Sequence, residues 1–391
     1  MAKNYKIAVI VLLISIVLIS ACTPQQKIHE KQIVDNAISI VESEQNTGLS
    51  FQSLQFDSNG IDEVLTIVEN SIIYCQYQND GADIVYYKYD IKEKVTYELG
   101  RIQNPNINSG SIARIGSKLY FYMNEIVRDS QSQTEQIEAS LYEIDLENNS
   151  MRKITTETVN QTLIYVDILS GNVISFKGKL QDSIALNYID VICVDDTKEP
   201  EIIISAEYDN ALNCGNIIDN ISQSNGSIYV LHKEIDNSGI ALHTIVQYDN
   251  YGNPKKTIEL DSPILDIIEN ERISRFEIMG AYAFIRTFSG AGVLCDISND
   301  VATVVHADKG ELDIAYYARA SEEPTYSVVF SRNTGEVRLF DIKSGELSSL
   351  DVEFDNLEYV FIDDTTNILL SAFNGDNRII AYLDCLDIHK K

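Results

Sequence analysis

Tryptophan is absent from the chain, basic residues are scarce, and no apolar run is long enough to span a bilayer. Without tryptophan, a platform for stacking sugars would have to be built from the 22 tyrosines. Lys and Arg number 30 against 59 Asp and Glu, a net charge of −29 over 391 residues. That field repels nucleic acid and anionic lipid and favours cations or basic partners, so no nucleic-acid partner is expected. No block of like charge forms an acidic tail, and the charge reads as a solvated surface. Catalytic signatures are missing as well: there is no G-x-S-x-G elbow, H-E-x-x-H helix, P-loop or G-x-G-x-x-G turn, and no cofactor is expected. What is present is 45% hydrophobic residues, enough for a sizeable core and too many for a disordered chain.

The six cysteines show no C-x-x-C spacing. Cys75, Cys193, Cys295 and Cys385 lie inside apolar strand-like runs, where a thiol behaves as a small hydrophobe and stays free. A Cys193–Cys214 bridge is the one pairing worth testing. Of five histidines, His232 and His243 fall on the two arms of an expected hairpin and could meet across it, but no third metal ligand is evident. No metal site is expected, and the two read as a solvated or core pair. The run from Asp57 to Asp62 resembles the start of a calcium loop, yet Thr66 stands where its terminal Glu belongs. Ser289-Gly290-Ala291-Gly292 joins two expected strands with no helix following, so it reads as a hairpin turn.

The N-terminus is the most legible stretch. Lys3 and Lys6 precede an apolar core from Ile7 to Ile19, shorter than the roughly 20 residues that a spanning helix needs. Ile19-Ser20-Ala21-Cys22 follows, and it resembles the lipobox of bacterial lipoprotein signal peptides. The resemblance implies cleavage after Ala21, lipidation of Cys22 and acylation of the new N-terminus. Residues 1–21 are then a signal peptide, and their loss takes the formal charge from −29 to −31. So acidic a chain lacks the basic patch that a single acyl chain requires, whereas two or more chains anchor it alone. Thr23, not Asp, follows the cysteine. The implied address is the outer membrane of a diderm host, or the outer face of the only membrane in a monoderm one. Residues 22–48 read as a lipidated tether, with Ile28, Ile33, Val34, Ala37, Ile38 and Val41 suggesting a short helix over roughly 29–44.

Residues 49–391 carry a repeated unit, clearest at 110–157. Its expected strands are 110–116, Lys118–Met123, Leu141–Leu146 and Met151–Ile154. A hydrophobic residue followed by Asp ends the third strand, and recurs at Tyr89-Asp90, Ile144-Asp145, Val194-Asp195, Tyr248-Asp249, Cys295-Asp296, Phe340-Asp341 and Leu383-Asp384. Those carboxylates can accept a backbone N–H two residues on and close the next hairpin. Second strands are expected from Ser71, Lys118, Asn172, Ser227, Ala281, Thr325 and Asn367. Intervals of 43 to 55 residues between marks suit propeller blades.

The pattern resembles the seven-bladed β-propellers of bacterial surface lipoproteins, an all-β fold of four-stranded blades. The Trp-Asp dipeptide and paired glycines of the best-known propeller repeats are missing. The lack of Trp also argues against sialidase-like Asp boxes and quinoprotein docking motifs. The last copy is short, so residues 49–57 are expected to close the ring against it.

In such a ring the second-to-third-strand hairpins and the inter-blade connections share one face. Here they are 78–83, 127–138, 236–241, 333–335, 103–109 and 211–216, with Arg128, Asp129 and Arg332 as candidate contacts. The function expected is a lipid-anchored, extracytoplasmic binding or scaffold module for an envelope protein or glycan. The alternative is a hydrolase or lyase acting on a polysaccharide or peptide, which needs a converging acid–base set.

Overall fold

A computed structural model describes residues 63–384, with breaks in the connections of which 193–200 is the longest, and the strands Glu30–Lys31, Ser39–Glu44 and Ser50–Gln55. Short, Ile-, Val- and Tyr-rich segments build an all-β chain of antiparallel hairpins, because branched and aromatic side chains suit a pleated, half-buried surface. In the first sheet Glu63–Val68, Ser71–Gln78, Asp83–Asp90 and Val95–Gln103 pair in chain order. In the next, Pro105–Asn108 and Ala113–Ile115 both pair with Lys118–Arg128, followed by Glu135–Asp145 and Ser150–Thr158. Further antiparallel sets run over 161–205, 214–260 and 273–308, linked edge to edge by a Leu186–Ile218 bridge and a short parallel pairing of Glu259 with Val301, and over 312–353. The second strands begin at Ser71, Lys118, Asn172 and Ser227 as expected, and at Tyr282, Tyr326 and Ile368 within one residue of expectation.

The last set is completed from the start of the chain. Leu357–Ile362, Ile368–Asn374 and Asn377–Asp384 are joined by Ser50–Gln55, with Ser50 opposite Asp384 and Leu54 opposite Ile380. The expected pairing of the 49–57 segment is therefore present. Ser39–Glu44 and Glu30–Lys31 extend the same sheet, so where the 29–44 segment is described it is strand, not helix. The β-branched Ile40 and Val41 sit within that strand, opposite Leu54 and Ser53, a pairing that a helix could not offer.

Apolar cores lie between successive sets. Ile73, Cys75 and Tyr86 pack with Leu119, Phe121 and Tyr142. Tyr229, Ile245 and Ile258 pack with Phe276, Ile285 and Val293, and Phe284 and Leu294 with Val329 and Phe340. Val328 and Phe330 meet Val360 and Leu370. The packing then returns to the beginning, with Phe361, Leu369, Ile380 and Tyr382 against Val64, Ile67, Ile72 and Tyr89. One polar tie fixes the same junction, Asn367 Nδ2 donating to the Glu69 carbonyl (3.1 Å), and Glu69 Oε1 also meets Arg114 Nη2 of the second sheet (3.2 Å). Tyrosine serves this core, since Tyr86, Tyr89, Tyr120 and Tyr122 are among the largest fully buried side chains.

The third-strand aspartates act as turn locks. Asp90 Oδ1 accepts the backbone N–H of Lys92 (3.0 Å), Asp145 that of Glu147 (3.0 Å), Asp249 that of Tyr251 (2.9 Å), Asp296 that of Ser298 (2.8 Å) and Asp341 that of Lys343 (2.8 Å). Each bond is made two residues on. Asp195 lies outside the described residues, and Asp384 ends its strand with the following residues outside them.

The one α-helix among the described residues, Ser262–Ile268, was not expected. Asp261 caps it, its carboxylate accepting the N–H of Ile264 (3.1 Å), and Ile264 and Ile268 bury one face four residues apart. No helix among the described residues is long and apolar enough to cross a membrane.

Candidate functional site

Among the described residues, a gathering of buried charge lies where three consecutive sets meet. Arg275 is the third residue of Ile273–Met279, and Arg286 lies opposite it across the hairpin. Asp313 sits in the three-residue strand Leu312–Ile314, and Arg332 directly follows Tyr326–Ser331. Tyr359 belongs to the next set, in Leu357–Ile362. Glycines let these strands close up. Gly290 (φ +99°) turns the 287–292 hairpin, and a Cβ on Gly292 would stand 2.8 Å from the Leu312 Cβ.

Asp313 is fully buried and its carboxylate is fully engaged. Oδ1 accepts from Arg275 Nη1 (2.7 Å) and from the N–H of Ile314 (2.9 Å), and Oδ2 accepts from Arg332 Nη2 (2.9 Å). Arg275 is also tied to the Ile314 and Ala315 carbonyls and to Glu277, and its guanidinium stacks 3.7 Å over Tyr316. Arg332 lies 5.3 Å over the ring of Tyr359. Burial opposes the Arg332 charge, but the Asp313 carboxylate outweighs it and raises the guanidinium pKa. Chemically this is a cation-rich, hydrogen-bonded cluster. With donors on both oxygens, Asp313 is poorly placed to take a proton as a general base.

The sequence-chosen positions fare differently. Arg332 is brought into this cluster, beside the 333–335 turn. Arg128 ends the strand Lys118–Arg128 opposite Glu135, and its side chain and Asp129 lie outside the described residues. Within the expected 127–138 loop the described residues are ladder, Val127 pairing Gln136 and Arg128 pairing Glu135, and 129–134 lie outside the described residues. The 103–109 connection likewise contains the strand Pro105–Asn108, and the 211–216 connection already contains the start of Cys214–Ser224. Of the other loops, Asp83 is held by Asn79 (2.6 Å) and Arg101 (3.2 Å), and Asp236 by Ser238.

His232 and His243 do not meet. His243 is opposite Lys233, one residue out of register with His232. His232 Nε2 contacts the Tyr248 hydroxyl (2.8 Å), and burial lowers its pKa; His243 Nε2 lies 3.3 Å from Asp219. Among the described residues no three His, Cys, Asp or Glu side chains gather as a metal site. Cys75 and Cys295 are buried, and burial pushes the Cys295 thiol up to about 12. Cys193 and Cys22 lie outside the described residues, as does the 57–62 segment.

Sequence reasoning missed Arg275, Arg286 and Asp313. They fall mid-strand, with no motif, and only the fold brings them to Arg332.

No protein-family model and no curated protein matches this sequence. Solved structures do share its fold. An oligogalacturonate lyase from Vibrio parahaemolyticus is 11% identical, with 93% of this chain and 100% of that one covered and a TM-score of 0.54. An oligogalacturonate lyase in complex with manganese is 11% identical, covers 94% and 100%, and has a TM-score of 0.52. U3-55K is 9% identical, covers 85% and 98%, and has a TM-score of 0.52. Such neighbours are β-propeller proteins, and at this identity they show the fold alone.

Proposed function

We propose that the chain is a lipid-anchored, extracytoplasmic β-propeller of seven blades that binds a cell-envelope protein or glycan. The seven-blade count is supported by packing that passes from set to set and returns from 357–384 to 63–103. Lipidation at Cys22 is supported by the lipobox alone, and it places the ring outside the cytoplasm, on the outer membrane if the host is diderm.

The observation that carries binding over catalysis is the Asp313 cluster. It presents guanidinium groups around a carboxylate whose two oxygens already accept hydrogen bonds, an arrangement suited to holding a ligand rather than moving a proton. The hydrolase or lyase alternative draws on the likeness to oligogalacturonate lyases, which extends to the fold and not to a site.

In-cell crosslinking of the full chain, with membrane fractionation, tests this reading. The expected result is a mature membrane-bound protein that captures one specific envelope component, and a Cys22→Ser variant that is released or left as precursor. Unchanged membrane-bound mature protein from Cys22→Ser would overturn the lipid anchor. Capture of nothing specific would overturn the binding module in favour of the enzyme.

A further inference from the structure

We propose that Arg286, with Arg332 beside it, is the ligand-binding fork of the cluster and that it takes a carboxylate group. This deepens the reading of the protein as a binding module and rests on it.

The three arginines are not equivalent. Arg275 is saturated by Asp313, Glu277 and two backbone carbonyls, so its role is to hold the sets together. The Arg286 carbonyl accepts from Ser274 Oγ (3.1 Å), but its side chain makes no hydrogen bond to any described residue. Its Nη1 stands 3.9 Å from Asp313 Oδ2, beyond hydrogen-bond reach, and its Nε is buried without an acceptor. The Nε of Arg332 is buried without an acceptor too. Buried guanidinium donors normally find partners, so two such side chains side by side mark a place built for an anion.

Access and charge agree. The side chains of Arg286 and Arg332 keep 17% and 23% of their surface open, against 9% for Arg275. Because both Nε atoms are buried, it is the Nη end of Arg286, 3.9 Å from Asp313, that an incoming group meets first. Arg275, Arg286 and Arg332 gather around Asp313 in a protein that is otherwise strongly acidic. The planar guanidinium fork is matched by a carboxylate, and a monoanion brings less charge to so acidic a chain than a phosphate dianion does. The carboxylate could arrive on a free small organic acid or on a uronic acid residue of an acidic glycan.

The test is the melting temperature of the full mature chain titrated with sodium acetate, sodium glucuronate or sodium phosphate, against sodium chloride at matched ionic strength. Acetate and glucuronate are expected to raise it saturably, and chloride is not. Glucuronate binding about tenfold tighter than acetate would identify the sugar acid as the source, and equal binding the free acid. Arg286→Gln should weaken carboxylate binding roughly tenfold or more, and Arg286→Lys should restore only part of it. Its melting temperature without any probe should not fall, because the Arg286 side chain has no hydrogen bond to lose.

Tighter binding of phosphate, an equal effect of chloride, or full carboxylate binding by Arg286→Gln would each overturn the proposal. Envelope capture separates the two readings. If Arg286→Gln loses carboxylate binding yet captures the same component as the parent, the ligand reaches the protein elsewhere and this site falls while the binding module stands. If the probes bind but nothing is captured, the site stands and the module falls.

Discussion

Glu143 and Asp313 are both carboxylates almost closed to solvent and held by arginine, yet the cations around them differ in exposure. Glu143 accepts from Arg152 Nε (2.8 Å) and Nη2 (3.2 Å), Lys118 Nζ (3.1 Å) and the Tyr120 hydroxyl (3.1 Å). The Arg152 and Lys118 side chains are 63% and 38% exposed, so both cations stay open to solvent. Around Asp313 the cations are themselves largely buried, and two of them keep an Nε donor that no described residue accepts. The first arrangement clamps three strands of one sheet at its surface. The second stores positive charge where water is excluded, which is costly unless another anion joins it.

Breaking the buried cluster should therefore have the largest effect. Asp313→Ala leaves Arg275 and Arg332 without their shared counter-charge, and is expected to cost about 3–5 kcal/mol in equilibrium urea unfolding. A loss below about 1 kcal/mol would mean that the cluster opens to water, and the contrast with Glu143 would collapse.

Glu143→Gln should cost less, about 1–2 kcal/mol at neutral pH, because the cations it leaves behind are already solvated. Its pH dependence sharpens the contrast. Burial raises the Glu143 pKa, but hydrogen bonds from Arg152, Lys118 and Tyr120 outweigh that and hold it below its ordinary 4.5. A lowered folded-state pKa gives stability that is present above the unfolded value and lost as pH falls through the folded one. The gap between the parent and Glu143→Gln should thus be full at pH 7 and shrink below pH 4.5. A gap that persists at pH 3 would show that packing, not charge, holds these strands.

The same contrast explains what could be read from the sequence. The Asp locks were legible because their chemistry spans two residues, as Asp249 and Tyr251 show. Their even spacing then exposed the repeat. The pairing of Ser50–Gln55 with Asn377–Asp384 could be reasoned from a short final copy and a spare strand. Arg332 was chosen for its place beside a turn, and its partner Asp313 was not, because nothing local distinguishes an Asp in the run Leu312–Ile314. Arg275 joins a residue 38 positions away through the packing of separate sets, which only the closed fold defines. The 29–44 stripe misled because its apolar residues fit either period over so short a length. The helix Ser262–Ile268 escaped because seven residues give hardly two turns of pattern.

A third carboxylate, Asp90, carries the comparison to its smallest effect. Its Oδ1 accepts from the N–H groups of Lys92 (3.0 Å) and Glu93 (2.9 Å), all within one exposed turn. The backbone of that turn keeps two bonds of its own, Lys94 N–H to the Asp90 carbonyl and Ile91 N–H to that of Asn70, both 2.8 Å. Asp90→Ala should therefore speed amide exchange at Lys92 and Glu93 while the melting temperature moves by no more than about 2 °C. A larger fall would implicate Lys88, two residues earlier, whose ammonium bonds the Leu146 carbonyl (2.8 Å) and Asn149 (2.7 Å) of the next set. The Asp90 turn would then be positioning an inter-set contact, and its carboxylate would belong with Glu143 rather than with the purely local locks.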